Sequence, residues 1–363
     1  MDSGENLVQG VLAYFLERNL ALRFDICTCH RCKAEMLKLL VASFPVIIAD
    51  KNAPNYRVLE RDFIKKNLAD IFTAINKVIG EVSQNLPHSV EDDKEKSLEN
   101  LITKIREDRG VDFSGYRRPI LKRRIALRLV ANKVNSYRDY LTILANNTQE
   151  YELLFEALTI NVSEFFRDPY VWMTIRDLMA SIITRNAAIN KPTVIWSAGC
   201  AHGEEPYSLA ILAREINNFK TPIKIYATDI DSDSLRRAQE GSYDSMNTIR
   251  NVLKGYFHFE LEKYFSFRDG KYWVNDSLKE IVELRYLDLT SNDYIKNVDM
   301  ILCRNVFIYF NKALQEQSVD KFYRSLNPNG YLIIGETENL VSEARLVFKE
   351  TKNHSRVYQR IDV

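Results

Sequence analysis

The chain has 363 residues, of which 46% are hydrophobic and 27% are charged, a composition that is typical of packed domains and excludes global disorder. Glycine contributes only 12 residues, about half its usual share, which excludes collagen-like and glycine-rich repeats and favours a helix-rich chain. The 50 Lys and Arg residues balance 49 Asp and Glu residues, so net charge alone indicates neither nucleic acid nor a membrane as the partner.

The sequence predicts a cytoplasmic protein. No apolar run approaches the roughly 20 residues that cross a bilayer. The stretch from Met1 to Asn6 lacks the basic and apolar segments of a signal peptide. Five cysteines in so long a chain favour a reducing compartment over a disulfide framework.

Residues 1–86 are predicted to form a small helical domain, because apolar residues recur at helical spacing in three segments. Residues 87–97 contain Pro87 and the charged run from Glu91 to Lys96, and we interpret them as a linker.

The first domain contains Cys27, Cys29 and Cys32 in a C-x-C-x-x-C pattern. Three thiolates can ligate one Zn²⁺, but a structural zinc site needs a fourth ligand. Here it would come from His30, His88, a partner chain or water. Three reduced cysteines at a helix start and a redox switch are the alternative interpretations.

Residues 98–160 are predicted to form a second, all-helical domain, with one helix near its start and another from about Pro119 to Leu129. Residues 104–133 hold ten Lys or Arg against three acids, a net charge of +7. The helix after Pro119 therefore carries a basic cluster, which is either a solvated helix face or a binding surface for an acidic partner or nucleic acid. Its members are Lys122, Arg123, Arg124 and Arg128.

From about residue 190 the pattern changes to strands separated by helices. Strands are predicted over 193–197, 223–228, 298–303 and 331–334, and a helix over 204–216. This alternation predicts an α/β fold with a doubly wound, mostly parallel sheet, in which ligands bind beyond the carboxyl ends of the strands. The aromatic-rich stretch 256–275 predicts a small β-hairpin around Arg268 to Gly270.

The loop Gly199–Gly203 and the two glutamates after it, Glu204 and Glu205, form the first candidate site. Two carboxylates at a helix N-terminus would repel a pyrophosphate and suit a positively charged ligand without phosphate, such as S-adenosylmethionine (SAM). Alternatively, they only complement the helix dipole. Asp229, at the end of the next strand, has the position of a ribose-binding acid, although it is also a helix-capping residue type.

Five motifs in order carry a family resemblance. They are Asn161–Arg167, Trp196–Cys200, Gly203–Ser208, Ala227–Asp231 and Cys303–Phe310. Over residues 95–360 the chain resembles the CheR family, the chemotaxis-receptor glutamate methyltransferases. The resemblance implies an all-α N-terminal domain over 98–160. It also implies a class I SAM-dependent methyltransferase domain over 161–363, with a β-subdomain near 245–280.

The resemblance also implies a set of site residues. The cofactor pocket would contain Asn161, Ser163, Arg167, Glu204, Glu205, Asp229, Asp288, Leu289, Arg304 and Asn305. Tyr309 would line the reaction centre, and Arg304 or Arg167 would help to hold the acceptor carboxylate. The chain departs from the family where Ser163 replaces the usual Thr and Asp288 the frequent Asn. The sequence does not distinguish which of Glu204 and Glu205 contacts the ligand.

The implied activity is that of a protein-glutamate O-methyltransferase, with SAM as cofactor. A glutamate acceptor is ionised at neutral pH and needs no general base. The basic cluster would then contact the acidic methylation helices of the receptor, so that the protein reaches the membrane only through it and binds no nucleic acid. Alternatives are a methyltransferase of another acidic protein or small molecule, and a non-catalytic SAM-binding signalling protein. Cys200 and Cys303 are expected to be buried structural thiols.

Residues 1–85 resemble the ComFB family, on the C-x-C-x-x-C pattern followed by an amphipathic helix and the pair Phe44-Pro45. The resemblance implies a regulatory domain, with a small molecule or cyclic dinucleotide as its ligand.

Overall fold

The computed structural model describes residues 91–159, 161, 163–217, 221–244, 259–351 and 355–362. The predicted domain 1–86 and its cysteine cluster lie outside the described residues. The described residues divide into two compact units. One comprises residues 91–108 and 118–159, and the other comprises residues 109–117 and those from 161 onwards.

The helical unit contains four helices in its described part. They are α1 Glu91–Arg109, whose last residue is assigned to the second unit, α2 Arg118–Ala131, α3 Tyr137–Asn146 and α4 Thr148–Thr159. Leu98 and Leu101 of α1 are completely buried, as predicted from their spacing. Helix α1 begins inside the predicted linker, so that prediction is wrong for residues 91–97. The acids of this segment favour a helix N-terminus, and its glutamates and lysines are good helix formers.

A buried ion pair joins α2 to α4. The guanidinium of Arg128 donates through Nε and Nη2 to the carboxylate of Glu150 at 2.9 and 2.5 Å, and the two side chains are only 2% and 5% exposed. The Tyr140 hydroxyl donates to the same carboxylate at 2.6 Å. This arrangement compensates both charges within the unit.

The basic cluster predicted on α2 is only partly at the surface. Arg124 and Arg128 are buried, and Arg124 donates through Nη1 to the carbonyl of Ala157 at 2.9 Å. The prediction of an exposed basic cluster is therefore wrong for these two residues, because the helical period turns them inward with the apolar side of α2. Lys122 and Arg123 remain partly exposed.

The second unit contains all ten strands of the described residues. They are β1 Thr193–Ala198, β2 Ile223–Asp229, β3 Ser242–Asp244, β4 Phe265–Arg268, β5 Lys271–Val274, β6 Val282–Tyr286, β7 Val298–Cys303, β8 Leu326–Ile334, β9 Phe348–Glu350 and β10 Val357–Arg360. Seven form one sheet in the order β6-β2-β1-β7-β8-β10-β9. The first five strands in this order are parallel, and β10 is antiparallel to both neighbours. The predicted mostly parallel sheet is confirmed.

Helices alternate with these strands, as the predicted α/β pattern requires. They are α5 Pro169–Ala187, α6 Glu204–Asn217, α7 Ser232–Glu240, α8 Asp276–Lys279 and α9 Lys312–Ser325. All six residues of β7 are buried, which explains why its sequence is a continuous apolar run. Within the described ranges, no helix is both long enough and apolar enough to cross a membrane.

Residues 327–330, with the sequence Asn-Pro-Asn-Gly, are typical of a turn, yet they lie inside β8. Val298 of β7 pairs with Leu326, whereas Met300 pairs with Tyr331, so extra residues are accommodated on β8 between the two pairs. Asn329 has a φ of 60°, a left-handed conformation that asparagine tolerates. The turn-forming residues therefore produce an irregularity within the strand rather than its boundary.

The predicted hairpin is confirmed and belongs to a second, three-stranded sheet with the order β3-β5-β4. The chain reverses between β4 and β5 at Asp269 and Gly270, whose φ values are 52° and 73°. Two consecutive positive φ values match the tight turn that suits the twist of a hairpin. Residues 245–258 of the predicted β-subdomain lie outside the described residues.

We predict that Arg128→Ala lowers the free energy of unfolding of the helical unit by about 3–5 kcal/mol, because it leaves the Glu150 carboxylate buried without its counter-charge. The exposed Arg138→Ala removes the same charge from α3 and should change stability by less than about 0.5 kcal/mol. Calorimetric unfolding of the full chain measures both effects. Equal losses of stability would contradict the role assigned to the ion pair.

Candidate active site

The carboxyl ends of four parallel strands lie at one edge of the large sheet. Ala198 at the end of β1 pairs with Thr228 of β2, and Asp229 pairs with Tyr286 at the end of β6. On the other side of β1, Ser197 pairs with Leu302 of β7. The loops that follow these strands therefore begin side by side. They contain the predicted site residues Glu204, Glu205, Asp229, Asp288, Leu289, Arg304 and Asn305.

The loop between β1 and α6 requires glycine at both ends. Gly199 and Gly203 have φ values of 77° and 97°, which L side chains rarely adopt. A Cβ atom on Gly203 would lie 2.9 Å from the Cβ atom of Ala238, so a side chain does not fit there. The Gly199 amide donates to the carbonyl of Thr228 at 2.8 Å, which holds the loop against the end of β2. Helix α6 consequently begins at the sheet edge.

Asp229 is a buried carboxylate that links the loops after β1 and β2. It accepts from the backbone amides of Ala201 at 2.8 Å and Asp231 at 3.0 Å, and it is only 7% exposed. Burial raises the pKa of Asp229 to about 6, although these hydrogen bonds act in the opposite direction. The carboxylate therefore titrates close to neutral pH.

The neighbouring Asp231 caps α7, accepting from the amides of Asp233 and Ser234. Its other oxygen accepts from Asn161 Nδ2 at 2.5 Å, which brings a residue of the first motif to the end of β2. The helix-capping role that the sequence left open for Asp229 is thus filled by Asp231. Ser163 lies two residues beyond Asn161 and is partly exposed.

Arg304 is the centre of a buried ionic network. Its Nη1 donates to Glu205 at 3.2 Å, and its Nη2 donates to Asp168 and to the backbone carbonyl of Arg167, both at 2.9 Å. The second oxygen of Glu205 accepts from the Ser197 hydroxyl at 2.8 Å. The Arg304 side chain is only 2% exposed, so Arg304 and Glu205 are bound to each other and to protein groups.

This network holds the segment before α5 in an unusual conformation. Phe166 and Asp168 have φ values of 51° and 56°, in the left-handed region that non-glycine residues seldom occupy. Trp172, in the first turn of α5, donates through Nε1 to the carbonyl of Arg167 at 2.8 Å. Such strain persists only where the surrounding structure determines the conformation, and Arg167 is thereby held at a defined position.

The loop after β7 is organised by Glu338, a residue that sequence analysis missed. Its buried carboxylate accepts from the backbone amides of Asn305 at 2.9 Å, Ile308 at 3.1 Å and Gly335 at 2.6 Å. Tyr309 ends the short 3₁₀ helix in this loop. Asn305 has a φ of 62°, and its buried Oδ1 atom has no hydrogen-bond partner among the described residues. The only sequence signal for Glu338 is its place just after the parallel strand β8.

The loop after β6 depends on a second residue that sequence analysis missed. Buried Lys321 of α9 donates to the carbonyl of Leu289 at 2.6 Å, and burial lowers the pKa of Lys321. The Asp288 carboxylate accepts from the amide of Thr290 at 2.7 Å. Asp288 and Leu289, the predicted adenosine-side residues, are both nearly buried.

The two cysteines near this edge, Cys200 and Cys303, are buried and unpaired, as predicted. Burial raises the pKa of both thiols, so neither is a nucleophile at neutral pH. Within the described part of the chain, no group of three or more His, Cys, Asp and Glu side chains could hold a metal ion. The proposed zinc cluster lies outside that part.

Comparison with known proteins identifies relatives of both units. Residues 161–357 match the family model described as "CheR methyltransferase, SAM binding domain", and residues 96–159 match "CheR methyltransferase, all-alpha domain". The first match alone spans more than half of the chain.

Curated relatives include chemotaxis protein methyltransferase 2 of Pseudomonas aeruginosa, 32% identical over 66% of this chain and 84% of the relative. Chemotaxis protein methyltransferase 2 of Vibrio cholerae is 30% identical over 64% of this chain and 81% of the relative. The chemotaxis protein methyltransferase of Listeria innocua is 30% identical over 69% of this chain and 93% of the relative.

We predict that Glu338→Gln destabilises the loop after β7, because an amide cannot accept from all three amides that the carboxylate satisfies. The expected cost is about 1–3 kcal/mol, the range for leaving a buried donor unpaired. Hydrogen–deuterium exchange should become faster in residues 304–310. The exposed Glu336→Gln is the matched control and should leave exchange unchanged. Unchanged exchange in Glu338→Gln would contradict the role assigned to Glu338.

Proposed function

Since this chain belongs to the CheR methyltransferase family and is a SAM-dependent methyltransferase, we propose that its methyl acceptors are glutamate side chains of chemotaxis receptors. The observation that carries the proposal is the set of relatives named chemotaxis protein methyltransferase, which the chain covers over 81–93% of their lengths. A receptor that spans a membrane would bring a cytoplasmic enzyme to the membrane surface.

The geometry of the sheet edge supports SAM as the ligand. The buried carboxylate of Asp229 would accept from ribose hydroxyls, and Asp288 and Leu289 would contact the adenine side. Asn305 supplies a buried acceptor, Oδ1, that has no partner among the described residues and would suit a donor group of the ligand. Because both oxygens of Glu205 bond to protein groups, we assign the contact with the positively charged end of SAM to Glu204.

The remaining motif residues would position the acceptor. When bound, SAM supplies a methyl group on a sulfonium; an acceptor oxygen forms the new C–O bond while the C–S bond breaks and its electron pair stays on sulfur. The acceptor carboxylate is already ionised, so no proton needs to be removed. Catalysis then rests on alignment. We assign this alignment to Tyr309 and Arg167, and to Arg304 the role of holding Arg167 in place.

Lys122 and Arg123, the partly exposed members of the basic cluster, are proposed to contact the receptor. The methylation helices expected for this acceptor class are acidic, and complementary charge accelerates encounter. Arg124 and Arg128 support α2 from inside the helical unit.

For residues 1–86 we propose a ComFB-like regulatory domain that responds to a small molecule or a cyclic dinucleotide. Within it, Cys27, Cys29 and Cys32 would ligate zinc. Metal analysis of the full chain, purified under reducing conditions, tests the zinc assignment. Stoichiometric zinc that is lost in Cys29→Ser would support it, and its absence from the wild-type chain would refute it.

Incubation of the enzyme with methyl-labelled SAM and receptor-containing membranes tests the proposed acceptor. We expect base-labile label in the receptor, because a glutamate methyl ester is hydrolysed by base. Label in a different acidic protein or in a small molecule would identify another acceptor class. SAM binding without any transfer would indicate a non-catalytic signalling protein.

The titration of Asp229 predicts a pH dependence of SAM binding. A ligand that donates to the carboxylate favours its ionised form, so the affinity should be constant above about pH 6 and fall by up to about tenfold per unit below it. Calorimetric titration of SAM between pH 5 and 8 measures this. Asp229→Asn should weaken SAM binding at least about tenfold and abolish the decrease in affinity at acid pH. The exposed Asp233→Asn should retain both the affinity for SAM and its decrease below about pH 6. A decrease in affinity at acid pH that persists in Asp229→Asn would contradict the assignment.

A further inference from the structure

A short segment that precedes the helix α2 belongs to the second unit and pairs with the loop after β7. The amide of Arg117 donates to the carbonyl of Tyr309 at 2.8 Å, and the amide of Asn311 donates to the carbonyl of Gly115 at 2.9 Å. Tyr116 and Phe310 form the antiparallel bridge between these two bonds. The segment is thus fixed beside the residue proposed to line the reaction centre.

The close approach depends on Gly115. A Cβ atom at this position would lie 2.8 Å from Cδ2 and 3.1 Å from Cβ of Leu314, at the start of α9, so that a side chain here would require either Leu314 or the segment to shift. Gly115 therefore sets the distance at which the following residue, Tyr116, meets the sheet edge.

Tyr116 is a largely buried tyrosine whose hydroxyl has no hydrogen-bond partner among the described residues. Its ring packs edge-to-face against Phe310, with ring centroids 5.2 Å apart, and against Phe113 at 4.9 Å. The residue is only 9% exposed, and its hydroxyl makes no hydrogen bond with any of the described residues. Tyrosines that are buried to this degree usually have a hydrogen-bond partner for the hydroxyl, which points to a ligand.

The electrostatic surroundings of Tyr116 are those of the candidate site. Besides burial, the carboxylates of Asp288 and Asp229 and the hydroxyls of Tyr309 and Tyr286 raise its pKa. The hydroxyl is therefore protonated at neutral pH and available as a donor. No hydrogen bond joins the Tyr116 hydroxyl to Asp229 or Asp288, whose carboxylates accept from backbone amides, so a molecule bound between these groups could supply its acceptor.

We propose that Tyr116 donates a hydrogen bond to the nucleoside part of SAM, and that the cofactor site therefore includes a residue from the segment ahead of α2. Adenine ring nitrogens and ribose oxygens are acceptors that a phenolic hydroxyl suits. The inference rests on the proposed binding of SAM at this sheet edge. Because Arg117, the residue after Tyr116, donates its amide to the carbonyl of Tyr309, the same segment would fix the position of the cofactor relative to the reaction centre.

Tyr116→Phe tests the inference, because it removes only the hydroxyl and keeps the ring contacts. Calorimetric titration without methyl acceptor should show about 2- to 12-fold weaker binding of both SAM and S-adenosylhomocysteine, the loss expected for one hydrogen bond. Tyr264→Phe is the matched control, since the Tyr264 hydroxyl donates to Glu215, and it should bind both compounds as the wild-type chain does.

The outcomes separate the inference from the proposed function. If the wild-type chain binds neither compound, the proposed SAM site itself is wrong. If the wild-type chain and Tyr116→Phe bind SAM equally, only the inference is overturned. Equal SAM affinity with a raised KM for the receptor would instead assign the hydroxyl to the acceptor and likewise overturn it. At saturating SAM we expect Tyr116→Phe to retain the wild-type KM for the receptor.

Discussion

The geometry of the site depends on one buried guanidinium. Arg304 follows β7, Glu205 lies in the first turn of α6, and Asp168 precedes α5, so this single side chain joins three loops that are distant in sequence. One cation between two carboxylates leaves a net negative charge in a region that is nearly closed to water. Removing one partner of such a pair leaves a buried charge uncompensated. The resulting loss of folding free energy is far larger than the net stabilisation that the intact pair provides. The network therefore specifies geometry more than it adds stability.

Buried carboxylates fix the other loops of this edge in a similar way. Glu338 and Asp229 each accept from backbone amides of two or more loop residues, and burial raises the pKa of both. A raised pKa means that the ionised form is disfavoured in the folded chain, so each carboxylate costs stability at neutral pH. Sites for a bound ligand often carry such a cost, because polar groups are arranged for the ligand rather than for the empty protein.

The sequence was sufficient where local pattern decides the structure. The apolar runs predicted strands β1, β2 and β7 almost to the residue, and the edge loops followed from their order. The sequence was insufficient where a residue far along the chain determines the position of a side chain or loop. The carboxylate that compensates buried Arg128 belongs to Glu150, 22 residues later, and Glu338 reaches the loop of Asn305 across 33 residues. Tyr116 was missed for the same reason, since only the folded chain brings it to Phe310. Strand β9, at the sheet edge, and its neighbour β10 are short and lack a continuous apolar run.

The division of the chain between the two units has a consequence for dissecting the protein. Residues 109–117 belong to the second unit although helical-unit residues precede and follow them, so the chain passes from one unit to the other three times. A fragment beginning at residue 161 would contain the complete seven-stranded sheet but lack the backbone partner of Tyr309 and Asn311. The boundaries of the two units are therefore not single points in the sequence, and only helices α2 to α4 lie between the two segments of the second unit. Recombination that exchanges helical units between relatives would have to preserve this short segment.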